Sequence, residues 1–234
     1  MKSFPVVLIA SLVFFSCNII SGNGNVKDEK RELSNIHAVR ASGSIDIEIK
    51  NGDAYRLLVQ DDENLLPYVV TEVNNGVLNI HYRNGTTINS DHAKVTITAP
   101  TLDKIICTGS GNVEGVGTIK NATQIEFNLA GSGDVIAQVD APSIKVSSSG
   151  SGNVKLEGRT REFECSISGS GDANCMGLQS ENTTVAISGS GNAHVFSSVH
   201  LVAKASGSGN IYYSGNPASP EIHTYGSGNV RPQK

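Results

Sequence analysis

Gly109-Ser110-Gly111-Asn112 is the first of seven near-identical stretches. It is followed by Gly131-Ser132-Gly133-Asp134, Gly150-Ser151-Gly152-Asn153, Gly169-Ser170-Gly171-Asp172, Gly189-Ser190-Gly191-Asn192, Gly207-Ser208-Gly209-Asn210 and Gly226-Ser227-Gly228-Asn229. Successive copies lie 22, 19, 19, 20, 18 and 19 residues apart, so one structural unit of about twenty residues is repeated. A unit this short cannot bury its own apolar face and must lie on its neighbours.

Aligned on the first glycine, the copies show what each unit contains. Four positions before it stand Ile105, Phe127, Val146, Cys165, Val185, Ala203 and Ile222, and four positions after it stand Val113, Val135, Val154, Ala173, Ala193, Ile211 and Val230. Both columns are wholly apolar, whereas the position five before the glycine is mostly polar, as at Lys104, Glu126, Lys145 and Glu164. That alternation has period two and predicts strands with one buried face. Glycine supplies positive φ at a corner, and Asn or Asp tolerates the left-handed region while bonding nearby backbone. Looser turns close each unit around residues 115–117, 140–142, 158–160, 177–180 and 215–217. Equivalent strands would pair in parallel at about 4.8 Å, so seven coils make a column about 34 Å tall. The predicted fold is all-β, a parallel β-helix solenoid with about twenty residues per coil and an irregular N-terminal β portion.

The corners, the strand expected over residues 44–49 and the lipoprotein-like start together resemble the head GIN domain family, whose members are described as "putative autotransporter adhesins". The resemblance runs from Ile36 to the end of the chain. It implies a pectin lyase-type β-helix without a recognised catalytic set, with cell adhesion as the suggested role. It also implies, with the general chirality of parallel crossovers, a right-handed coil.

Ahead of this body the chain opens with Lys2 and an apolar run from Phe4 to Phe15, then Ser16 and Cys17. A dozen apolar residues make a signal-peptide core and are too few to span a bilayer. The small residue before Cys17 makes that cysteine the candidate lipid attachment site, in a pattern similar to the relaxed lipoprotein signals of some Gram-negative bacteria. The alternative is ordinary secretion with Cys17 removed. Residues 1–17 are therefore read as a lipoprotein signal, 18–34 as a flexible tether, and 35–234 as one β-helix domain. Within that domain 35–105 form irregular N-terminal coils or a cap and 106–234 the regular repeats. Asn18 after the cysteine resembles lipoproteins sent to the outer membrane, with the face of that membrane undetermined.

In the irregular part, Ala41-Ser42-Gly43-Ser44-Ile45 aligns with Gly109 to Val113 as a degenerate corner, 68 residues upstream, which leaves room for about three coils. Residues 62–66 are expected to form one helical turn ended by Pro67. Terminal repeats are expected to be atypical and covered.

Composition sets limits on function. Net charge is −4 and aromatics are 5% with no Trp, so the surface is mildly acidic without basic clusters. That argues against nucleic acid or anionic lipid headgroups as partners. Cys107, Cys165 and Cys175 sit at inward positions, read as small buried apolar residues, with a disulfide between Cys165 and Cys175 left open. Their odd count with no nearby His argues against zinc. The corner residues Asn112, Asp134, Asn153, Asp172, Asn192, Asn210 and Asn229 are expected to stack as an amide ladder. Calcium is the competing reading, and two carboxylates on non-adjacent coils fall short of its six to eight oxygens.

No catalytic set emerges either. Glu114 and Glu157 fall in different columns, and Glu126, Glu164 and Glu221 share one in which Lys104 and Lys145 intervene, which reads as an ion-pair ladder. The Gly-Ser-Gly corners echo nucleophile and phosphate loops, but no helix follows them. One outward group stands out: His194, Tyr212 and Arg231 in one column, with His223 and Tyr225 near the corner strand. Such side chains hold a sugar ring or a peptide, or they cover the open end of the column.

The expected function is a non-catalytic, lipid-anchored envelope protein, an adhesin or interaction scaffold that presents the column's faces to an extracellular or envelope protein or glycan. No cofactor, metal or nucleic acid is expected. The alternatives are a carbohydrate-active enzyme on a pectin lyase-like fold, or a lipid or small-ligand binder. An outward cleft with converging Asp, Lys or Arg would favour the enzyme; flat faces of Ser, Thr and Asn would favour the scaffold. The core assignment has its own test. Val154→Asp or Ile167→Asp should unfold the protein in a thermal melt, because an unpaired buried charge costs several kcal/mol.

Overall fold

The computed structural model describes residues 19–233; Cys17 and Asn18, on which the anchor reading rests, lie outside the described residues. Among the described residues the chain is a β-solenoid of strands with a single 3-10 turn, Leu66–Tyr68. Pro67 stands in the first turn of that element and does not end a helix over 62–66. Its fixed φ suits a first turn, where its missing N–H costs nothing.

Each coil contributes one strand before the corner and one after it. The leading strands stack in parallel in the order Val77–Tyr82, Ala38–Gly43, Lys104–Gly109, Gln124–Gly131 and Ser143–Gly150, then on through the later coils to His200–Gly207 and Glu221–Gly226. The trailing strands stack alongside, from Lys94–Ala99 through Asp46–Asn51, Val113–Lys120 and Val135–Asp140 up to Ile211–Ser214 and Val230–Pro232. Register sets like over like: Ile105, Phe127, Val146, Cys165, Val185, Ala203 and Ile222 lie in successive rungs. All but the last are buried, while Ile222, on the last described leading strand, is 43% exposed.

The base departs from the expected order. Gly43 pairs directly with Gly109, so the degenerate corner is Gly43-Ser44-Ile45-Asp46, two residues on from the alignment expected, and its coil adjoins the first regular one. The residues between do not add about three coils in sequence. They pass beneath, where Val77–Tyr82 and Lys94–Ala99 add one parallel layer. Arg56–Asp62 then pairs antiparallel with Lys94–Ala99, and Val69–Asn74 with Val77–Tyr82. Asp61, fully buried there, accepts from the Tyr82 hydroxyl at 2.7 Å, the Ser90 hydroxyl at 2.5 Å and the Asp62 N–H at 2.8 Å. Burial and then Asp61 push the Tyr82 phenol well above its ordinary value.

The described part of the segment expected as a flexible tether over 18–34 is instead paired into the sheets. Ile19–Ser21 pairs in parallel with Thr87–Asn89, and Val26–Arg31 pairs antiparallel with Arg56–Asp62. The turn between them is pinned: Gly24 N–H donates to Asp62 Oδ1 at 2.6 Å and Asn64 Nδ2 to the Ser21 carbonyl at 2.9 Å. This strap carries no apolar alternation because nearly all of Val26–Arg31 faces solvent, so backbone bonds hold it in place of side-chain burial. Arg31 anchors its end, donating to the Val69 and Leu66 carbonyls at 2.6 and 3.1 Å and to Thr71 Oγ1 at 3.1 Å while pairing with Glu29 at 2.9 Å. Arg31→Ala should cost about 1.5–3 kcal/mol in chemical denaturation, with the backbone amides of Arg56–Asp62 losing hydrogen-exchange protection first.

Candidate functional site: the corner ladder and the flanks it builds

The corners lie one over another and bond through their own backbone. Ser132 and Gly133 both donate N–H to the Gly109 carbonyl of the coil below, at 2.8 and 3.3 Å, and Ser151 with Gly152 does the same to Gly131 at 2.9 and 3.2 Å. The approach is close enough that a Cβ on Gly133 would stand 2.0 Å from the Gly111 carbonyl oxygen. Gly131 adds a φ of 137°, a conformation L side chains rarely adopt.

The expected ladder of Asn and Asp forms, and its geometry explains why either residue serves. Each Oδ1 accepts the backbone N–H of its counterpart one coil on: Asn112 from Asp134 at 3.0 Å, Asp134 from Asn153 at 2.7 Å, Asn153 from Asp172 at 3.1 Å and Asp172 from Asn192 at 2.6 Å. Asn192 and Asn210 continue it to Asn210 and Asn229, both at 3.1 Å. Asp46 begins it by accepting Asn112 N–H at 2.8 Å. Sequence comparison of the seven corners missed Asp46 because Ile45 stands where the second glycine would be. Counting Asp46, the rungs read Asp, Asn, Asp, Asn, Asp, then three Asn, so no two carboxylates are neighbours. Each carboxylate rung also receives the Nδ2 of the Asn above it, at 3.2, 3.0 and 3.1 Å. One oxygen of each carboxylate, Oδ1, thus takes both ladder bonds, and no group of three or more His, Cys, Asp or Glu among the described residues is placed to hold a metal ion.

The two faces flanking the corners differ. On the leading face Lys104, Glu126, Lys145 and Glu164 follow in register, with ion pairs of 3.0 Å at Lys104–Glu126 and at Lys145–Glu164. Burial acts to raise the Glu126 carboxyl, but Lys104 and Asn128 more than offset it and leave it below the ordinary value. Beside this ridge runs a trough of about 560 Å³ with short side chains on its outer surface, among them Ser147, Ser149, Ser166, Ser168, Ser188 and Ser206, and Lys204 is the one charged residue lining it. Glu114 and Glu157 do not meet it; Glu157 lies 3.1 Å from Lys155 on the trailing face.

On that trailing face His194 and Tyr212 stack at 4.8 Å between ring centroids, 20° from parallel. Arg231 lies on the next rung, and Gln233 reaches His194 Nδ1 at 3.1 Å. Asn192 and Asn210 of the ladder join these residues around a shallow hollow. His223 and Tyr225 are not part of this group. They sit on the leading face over Lys204 and Ser206, at the top of the serine trough, with Tyr225 67% exposed. The corner turns the chain, so residues before and after it lie in different stacks of strands, and nearness in sequence did not mean one patch.

All three described cysteines are free and buried, which resolves the disulfide alternative between Cys165 and Cys175. Burial pushes the Cys107 thiol up to about 11 and the Cys175 thiol up to about 12, and burial with help from Cys175 holds the Cys165 thiol well above its ordinary value. Such thiols are core filling, not nucleophiles.

Residues 35–217 match the family described as "Putative auto-transporter adhesin, head GIN domain". The chain belongs to this family. Solved structures repeat the head GIN architecture. A "putative adhesin" of Bacteroides fragilis superposes with a TM-score of 0.88 at 21% identity, covering 92% of this chain and 100% of the other. A "putative lipid binding protein" of Parabacteroides distasonis gives 0.78 at 27% identity over 93% and 100%. A "putative adhesin" of the same species gives 0.73 at 23% over 92% and 100%. No curated protein matches the chain in sequence.

The corner contacts predict an asymmetry between neighbouring positions. Gly171→Ala places a methyl 2.1 Å from the Gly152 carbonyl oxygen and should cost at least about 2 kcal/mol in urea denaturation. Ser170→Ala, at the exposed position beside it, should stay within about 0.5 kcal/mol of the parent.

Proposed function

We propose that this head GIN domain is a non-catalytic adhesin or interaction scaffold of the cell envelope, held to the membrane by a lipid on Cys17 and meeting its partner with its flanks. The observation that carries the reading is the serine trough. It is an outward surface of serine hydroxyls interspersed with Ile106, Asn128, Ala130 and Ala186, with Lys204 its one charged residue and no carboxylate in its lining. A lyase or hydrolase needs an acid and a base converging on one bond, and this trough supplies neither pair. What it supplies is a row of small hydroxyl side chains on four successive coils, Ser149, Ser168, Ser188 and Ser206, ending in the exposed Tyr225 with His223 beside it. Such a row suits a long polymer or an extended protein segment that makes many weak, similar contacts. The family's description as adhesins supports the same reading.

An array of glycans and matrix proteins, probed with the chain carried from residue 18, tests it. At least one reproducible binder is expected, with Ser149→Glu/Ser168→Glu weakening it at least tenfold. No binder, together with turnover of a polysaccharide, would overturn the scaffold reading.

A further inference from the structure

The outer face at the base holds a concavity of about 650 Å³ that nothing in the repeat foreshadows. The strap makes one wall, where Lys30 lies opposite Leu58. Leu58 in turn lies against Thr96 and Arg56 against Thr98, and Lys50 stands beside Thr98 on the next strand. Leu33 and Tyr55 line it as well, half-buried against the core. The lining therefore joins an apolar floor to four cations, Lys30, Arg31, Lys50 and Arg56, against one carboxylate, Glu32.

The four cations are not equivalent. Arg31 is committed to the Val69 and Leu66 carbonyls, and Lys50 is held 2.5 Å from Glu48, which Lys94 shares at 3.4 Å. Those contacts hold Glu48 below its ordinary value, the Lys50 bond foremost. Lys30 and Arg56 are exposed, and neither makes an ion pair or a side-chain hydrogen bond among the described residues. In a chain of net charge −4, two uncommitted cations over leucine and tyrosine mark this hollow off from the rest of the surface.

The chemistry of that lining narrows the ligand. An inorganic anion would meet the cations but leave the leucines wet, and a neutral amphiphile would cover the leucines but leave the cations unused. A molecule with both parts satisfies both, and the hollow has the size of a small-ligand site. We infer that this concavity binds an anionic amphiphile, with a phosphate or carboxylate headgroup between Lys30 and Arg56 and the apolar body over Leu58, Leu33 and Tyr55. The hydroxyls of Thr96 and Thr98 are further donors to the headgroup. This site goes beyond the adhesin reading and does not depend on it.

Titration calorimetry of the chain carried from residue 18, which keeps every described residue, tests the site with octyl phosphate below its micelle concentration. Saturable binding is expected. Lys30→Gln/Arg56→Gln should weaken it at least about tenfold, since two charge-assisted contacts are lost, while Lys155→Gln on another coil leaves it unchanged. Glu32→Lys should tighten binding, a gain that misfolding cannot produce. The inference is overturned if octyl glucoside binds as well as octyl phosphate, if inorganic phosphate alone competes fully, or if the double variant binds like the parent. Capture on phosphatidylglycerol vesicles without any binding of octyl phosphate would also overturn it, since that result describes a membrane contact and not a ligand site.

Discussion

The fold depends on how closely one backbone corner can approach the next. Two N–H groups of each Gly-Ser-Gly corner converge on a single carbonyl of the coil beneath, and a side chain on either glycine would occupy the space of that carbonyl. This contact sets the rise per coil along one edge, and the strands beside it inherit the register, interrupted on the trailing side by a bulge between Glu114 and Thr118. The apolar columns then stack without adjustment, which is why residues as different as Phe127, Cys165 and Ala203 can share one file.

Rigidity along the corner edge has a functional side. Both flanking faces are fixed relative to the ladder, so the serine trough and the His194–Tyr212 stack are presented at set spacings. On the proposed scaffold reading neither would have to be ordered for a partner, which would lower the entropic cost of each contact. The base works differently. Its antiparallel strands and strap are held by specific side chains such as Arg31 and Asp62, and it is there that unlike residues from distant segments come together around a hollow.

Seven corners in step made the column legible from the residues alone, because a period of about twenty and an inner period of two leave few alternatives. The inward columns and the Lys–Glu ridge followed from the same register. The base was not legible, for identifiable reasons. Val26–Arg31 carries five charged residues in six and no alternation, so its backbone pairing leaves no trace in hydrophobic pattern. Ile45 in place of a glycine hid the corner at Asp46. The layer that slips beneath the first coil keeps normal strand signals but breaks the order of stacking, and order is what a repeat-based reading assumes. The amphiphile hollow depends on both of those hidden features, since Lys30 comes from the strap and Thr98 from the displaced layer.

The alternation of Asp46, Asn112, Asp134, Asn153 and Asp172 gives the rod a parity. Copying a single Asp rung from this stretch would set two anions on adjacent rungs, where the lower would lose the amide donor above it, whereas copying an Asn rung alone or an Asp–Asn pair together leaves every anion beneath an amide. Growth of such a molecule by tandem duplication is therefore easiest in doublets or by copies of an amide rung, and hardest by copies of an acidic one.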